Sequence, residues 1–100
     1  MLTEKKIEAK LVRWCRENGI YTRKFVSPAN AGVPDRIFAH AGKCVFIELK
    51  RPGNKPTRLQ LHEINELLKQ GMTASWCDSF ETARSHLEYF FHLVNPRDLI

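Results

Sequence analysis

Two carboxylates and a lysine stand in this sequence where they can act together. Asp35, Glu48 and Lys50 bracket residues 34–50, in which two apolar runs flank Ala41-Gly42. That pattern predicts a β-hairpin, with Asp35 starting the first strand and Glu48 and Lys50 ending the second. A turn centred on Ala41-Gly42 pairs His40 with Lys43, Ile37 with Phe46, and Asp35 with Glu48. Loops of two or four residues give this register; a three-residue loop with a bulge at Gly42 shifts it by one. In the unshifted register the Cβ atoms of Asp35 and Glu48 lie about 4.5–5.5 Å apart. Side chains alternate along a strand, so Lys50 shares the face of Glu48. Ile37, Ala39, Cys44 and Phe46 share it too, which argues against a wholly solvated hairpin. Two carboxylates this close repel, so either one is protonated or a cation sits between them. A hard cation such as Mg²⁺ takes one or two carboxylates, with water and phosphate completing its shell. A lysine beside that ion would orient water and meet phosphate charge.

The surrounding elements must position these groups. Residues 4–18 read as a helix that Thr3 caps and Gly19 stops. Ile7, Leu11, Val12, Trp14 and Cys15 form one broad apolar face. Glu8 falls inside that face, between Cys15 and Val12, where a carboxylate is costly without a partner. Ile20 to Val26 is the first strand, with Arg23 and Lys24 on its solvent or ligand side. A turn-rich loop, Ser27 to Pro34, leads into Asp35; at Gly32 it can approach a phosphate backbone closely. After the hairpin comes a second breaker-rich loop, residues 51–57. Lys50, Arg51, Lys55 and Arg58 cluster there as phosphate contacts, which position a nucleic acid without reading its sequence.

Thr57 to Gln70 is the second helix, opened by the capping box Thr57-Arg58-Leu59-Gln60. Gln60 also points to the inward face, with Leu61, Ile64, Leu67 and Leu68. It can therefore close the box or reach a water at the cation. Thr73 to Cys77 is a short strand. A third helix opens at Asp78, with Asp78 as cap and Glu81 in the box position. Its stripe is Phe80, Ala83, Leu87, Phe90, Phe91 and Val94, and Asn95-Pro96 ends it. The element order is αβββαβα.

One hundred residues with 43% hydrophobic and 27% charged content describe one globular domain, residues 1–100. No apolar run approaches the length of a membrane span, and no signal-peptide h-region follows Met1. A net charge of +5 suits a polyanionic partner, nucleic acid first. Cys15, Cys44 and Cys77 are widely spaced in apolar stretches without a C-x-x-C pair. They read as core residues in a reducing, cytoplasmic compartment. His40, His62, His86 and His92 lack ligand spacing and read as surface residues.

Glu8, Gly32-Val33-Pro34-Asp35, Glu48-Leu49-Lys50 and Gln60, in this order on these elements, resemble the PD-(D/E)xK nuclease superfamily. Within it the chain is most similar to the standalone, phage-type members of the VRR-NUC (virus-type replication-repair nuclease) family. The resemblance spans roughly residues 4–92. It implies an α/β fold with a restriction-endonuclease-like αβββαβ core, a mixed central sheet flanked by helices. It also implies metal-dependent hydrolysis of DNA phosphodiesters, often at flaps or four-way junctions, in a bacterial or phage-infected cell. By the same resemblance Asp35 and Glu48 hold Mg²⁺ or Mn²⁺, the Leu49 carbonyl adds a ligand, and Glu8 binds directly or through water. Lys50 positions or activates the attacking water, and Gln60 supports the site.

A non-catalytic nucleic-acid-binding module would keep the basic loop and lose the acids, which are intact. A sequence-reading restriction-like enzyme needs further elements to enter a groove, and 100 residues leave little room. Two cuts in a branched substrate call for two sites, hence a homodimer. Tyr89 and Leu93 lie outside the third helix's core stripe and, with Leu99-Ile100, suggest an apolar interface patch.

Overall fold

The computed structural model describes residues 2–93. The elements are α1 (Glu4–Glu17), β1 (Tyr21–Lys24), β2 (Arg36–His40), β3 (Lys43–Leu49), α2 (Arg58–Lys69), β4 (Thr73–Cys77) and α3 (Phe80–Phe90). The order is the αβββαβα expected. The four strands form one mixed sheet, β1-β2-β3-β4. The first two pairings are antiparallel, and β3–β4 is parallel across the α2 crossover.

The hairpin register follows from its turn. Ala41 and Gly42 both adopt positive φ, 50° and 79°. That is the two-residue turn whose twist matches the flanking strands. His40 pairs with Lys43, Ile37 with Phe46 and Arg36 with Ile47. The bulged alternative is therefore absent, and alternation sorts the sheet into two faces. Phe38, Val45, Ile47 and Leu49 pack on one side beneath Ile7, Leu11 and Cys15 of α1 and Phe80, Ala83 and Leu87 of α3. Phe46 and Ala74 pack on the other beneath Ile64 and Leu67 of α2, with Phe25, Ile37, Cys44 and Trp76 at the margin. Leu61 and Leu68 were expected on the inward face of α2, but they are 42% and 48% exposed. The buried stripe is centred on Ile64 instead, which brings Gln60 further inward than the leucines suggested.

Thr3 caps α1, accepting a hydrogen bond from the Lys6 amide, and Thr57 and Gln60 close the capping box of α2. The cap of α3 differs from expectation. Ser79 takes that position, its hydroxyl accepting from the Thr82 amide at 3.1 Å. Asp78 instead accepts from the Gly53 amide at 3.2 Å and ties down the basic loop. The end of α3 also differs. The helix stops at Phe90, and His92 turns back with φ 55°. This folds Phe91 and Leu93 onto the core, so Leu93 is not part of an exposed patch. Val94, Asn95, Pro96, Leu99 and Ile100 lie outside the described residues.

Gly32 approaches the start of α2. Its φ is 91°, and a Cβ there would meet Leu59 Cγ at 2.7 Å and the Leu59 carbonyl oxygen at 3.0 Å. A side chain would be strained by backbone and by contact alike, so Gly32→Ala is expected to cost about 1–3 kcal/mol. Chemical denaturation of the variant checks this; unchanged stability would mean that the loop moves away freely.

Candidate active site

The hairpin brings Asp35 and Glu48 together one step beyond the last ladder pair. Asp35 directly precedes β2; its carbonyl accepts from the Phe25 amide at 2.7 Å, and its Oδ2 accepts from the Leu49 amide at 3.1 Å. These two bonds clamp it between β1 and β3. Glu48 is only 2% exposed. Its Oε2 accepts from Gln60 Nε2 at 3.2 Å and lies 3.8 Å from Lys50 Nζ. Its Oε1 is buried with no hydrogen-bond partner among the described residues. Burial pushes the Glu48 carboxyl up to about 8, helped by the neighbouring Asp35 carboxylate and opposed by Lys50. An uncompensated buried acceptor is expensive, so this corner of the molecule is electrostatically unfinished.

Gln60 does both things open to it. Its Oε1 accepts from the Thr57 amide at 2.8 Å, closing the helix, while its Nε2 reaches Glu48. Helix start and carboxylate position are thus set by one side chain. Glu8 lines a small cleft of about 170 Å³ with Glu4, Lys5, Lys24, Asp35 and Leu49. It approaches from the α1 side of the sheet, opposite to the face that carries Glu48. The partner it required is Arg36, whose Nη1 donates to Glu8 Oε2 at 3.1 Å; Lys24 Nζ is 4.0 Å from Oε1. Among the described residues no three His, Cys, Asp or Glu side chains converge as a ready set of metal ligands.

Arg36 was not singled out from the sequence. It is 7% exposed, and its Nε also donates to the Thr22 hydroxyl at 3.1 Å. The signal was available: strand alternation turns the residue after Asp35 toward α1, where Glu8 needed a cation. Arg36→Met, which keeps the stem and removes the fork, is expected to cost about 1.5–3 kcal/mol, the range for hydrogen bonds to charged groups. Urea unfolding reads this directly; a loss near zero would leave Glu8 satisfied by Lys24 alone.

The basic residues divide. Arg51, Lys55 and Arg58 are exposed on the loop before α2 and at its start. Lys24 is exposed beside Glu8. Arg23 projects to the opposite face of β1, so the two do not act side by side. Cys15 and Cys77 are buried thiols pushed up to about 12 by burial, and so are inert. His86 Nδ1 lies 3.3 Å from Cys77 Sγ, on the α3 side of the sheet, opposite to the face that carries Glu48.

The chain matches no family model. It is 44% identical over 80 residues to a protein named "Putative nuclease p44" from Acyrthosiphon pisum secondary endosymbiont phage 1, covering 79% of this chain and 86% of that one. Two solved structures share the fold. One, described as "VRR_NUC domain protein", has a TM-score of 0.79 at 21% identity, covering 94% of this chain and 92% of its own. The other, "VRR_NUC domain", has a TM-score of 0.78 at 23% identity, covering 89% and 99%. The chain belongs to the VRR-NUC family. The α/β core of this VRR-NUC chain, three helices around a four-stranded mixed sheet, is that of its structural neighbours. No helix among the described residues is long and apolar enough to cross a membrane.

Proposed function

We propose that this VRR-NUC chain is a Mg²⁺- or Mn²⁺-dependent DNA endonuclease that hydrolyses phosphodiester bonds and prefers branched DNA such as flaps or four-way junctions. The observation that carries the reading is the Asp35–Glu48 pair, with the buried, unpartnered Glu48 Oε1 and Lys50 beside it. A hard divalent cation fits this donor set: two carboxylates, oxygen-only, one of them lacking a partner. Asp35, Glu48 and the Leu49 carbonyl would hold it, with Glu8 contributing directly or through water. Bound there, the ion would supply a nucleophile at neutral pH and neutralise phosphate oxygens.

The chain's own groups do the rest. Gln60 fixes the Glu48 carboxylate. Lys50, 13% exposed at its side chain, keeps a cation beside that carboxylate to orient water and meet phosphate charge. Arg51, Lys55 and Arg58, with Lys24 across the cleft, hold the backbone of the DNA, and the Gly32 loop lies beside them. The test is cleavage by purified protein, with and without Mg²⁺ or Mn²⁺, of duplex, flap, single-stranded and four-way-junction DNA. Metal-dependent cutting, strongest on branched substrates, is expected; DNA binding without cutting under any metal would make the chain a binding module.

The active form is proposed to be a homodimer, because each site cuts one strand and a junction needs two cuts. Tyr89, 85% exposed, borders an apolar cavity of about 260 Å³ along the edge strand β4. An exposed aromatic beside an edge strand suits a seam between copies. Light scattering should give twice the 11.6 kDa chain mass, and Tyr89→Glu should shift it toward monomer and weaken paired cutting. A monomer at all concentrations that cuts junctions fully would end the dimer.

A further inference from the structure

On the α2 side of the sheet, α2 covers β4 and β3 and leaves the β1–β2 end open. Ile37, Ala39 and Cys44 are half-buried there, and Tyr21 on the edge strand is 54% exposed. Edge strands usually carry charge or proline at such positions rather than a large ring. The ring is not loose. The Arg23 guanidinium lies 4.4 Å from its centroid, and Arg23 Nη1 donates to the Thr22 carbonyl at 2.7 Å. Ring and guanidinium therefore form a cation–π pair on the edge strand, with the guanidinium tied to the Thr22 carbonyl.

Register places this stack on the face of the catalytic acids. Arg23 pairs with Ile37 and Tyr21 with Ala39, two and four residues along β2 from Asp35. At ordinary strand spacing these positions are about 8 and 14 Å from Asp35. We propose that Tyr21 and Arg23 form a stacking subsite for an unpaired nucleobase of the DNA strand that passes Asp35 and Glu48. This rests on the nuclease reading and deepens it, because it names what part of a branched substrate is recognised. The occupant must be flat, to lie on ring or guanidinium, and anionic in its backbone, to suit Arg23 and the basic loop. Nucleobases meet both demands: every base has a π-face, and aromatic and arginine planes bind it without reading sequence. Bases inside a duplex are covered by their neighbours, so the subsite selects strands with unpaired residues. Because the guanidinium is already held over the ring by its bond to the Thr22 carbonyl, less ordering cost attends binding.

The experiment measures binding of fluorescein-labelled oligothymidine and of a blunt duplex to the full chain in EDTA, followed by cleavage of a flap in Mg²⁺. Tyr21→Ala is expected to weaken oligothymidine binding by about 5–150-fold, the range for loss of one base–aromatic stack. Duplex binding should not change. Tyr21→Trp should restore oligothymidine binding, and flap cleavage by Tyr21→Ala should show raised KM with unchanged kcat. Oligothymidine binding that is unaffected by Tyr21→Ala, or not restored by Tyr21→Trp, overturns the subsite. So does a change of oligomeric mass in Tyr21→Ala, which would make this face a contact between copies. If wild type binds oligothymidine through Tyr21 but cuts no DNA in any metal, the subsite stands and the nuclease reading falls. If wild type cuts DNA while Tyr21→Ala binds as well as it does, the reverse holds.

Discussion

Asp35→Asn, Glu48→Gln and Lys50→Ala should each lose metal-dependent DNA cleavage by at least about a hundredfold, the usual cost of removing one preorganised electrostatic partner. The three variants act differently. Asp35→Asn keeps an oxygen available to the Leu49 amide, so the strand ends stay clamped while a charge is lost. Glu48→Gln removes the charge at the buried carboxylate and keeps its shape. Lys50→Ala removes the cation 3.8 Å from Glu48 Oε2 without touching the acids. Circular dichroism should report all three as folded. Undiminished cleavage by any one of them would take that residue out of the chemistry.

Glu48→Gln should also make the metal-free protein more stable at pH 8 than the wild type. The Glu48 carboxyl titrates at about 8 in the fold, against 4.5 ordinarily. A carboxyl whose folded pKa is raised favours the fold when protonated. Its stabilisation is complete below about pH 4.5 and is lost as pH rises toward about 8. At pH 8 the buried charge would cost the wild type on the order of 3–5 kcal/mol. Glu48→Gln has no such proton to lose, so its melting temperature should exceed that of wild type by about ten degrees or more at pH 8. The gap should close toward pH 5. Added Mg²⁺ should raise the wild type at pH 8 and leave the variant unmoved. Parallel melting curves across pH 5–8 would show that the carboxylate carries no such burden.

The sequence is legible where one local rule dominates. Ala41-Gly42 admits few turns, and once the turn is fixed, alternation fixes the faces and brings Asp35 to Glu48. Thr57 and Gln60 announce a capping box, but not that the amide end of the same side chain reaches Glu48. That depends on how far α2 rotates over the sheet, which tertiary packing decides through Ile64. The demand of Glu8 for a partner was legible from its place on the helix. Arg36 stands out less, because alternation turns it away from the Asp35 face and only the fold brings it to Glu8. Asp78 and Ser79 are both good caps; the competing bond from the Gly53 amide to Asp78 decided between them. The expected end of α3 falls too late because Phe91 continues the apolar stripe, while Leu93, outside that stripe, reads as a surface residue. The chain reverses at His92 and delivers both to the core without a helix, so periodicity alone misassigned Leu93 to the surface.

Asp35 and Glu48 are proposed to form a divalent-cation site at the end of the hairpin. A crystal of the wild-type protein soaked in Mn²⁺ and measured at the manganese absorption edge tests it most directly. An anomalous peak between the Asp35 and Glu48 carboxylates, lost in crystals of Glu48→Gln, is the predicted result. A peak elsewhere with that pair vacant, or a peak that persists in Glu48→Gln, would contradict it.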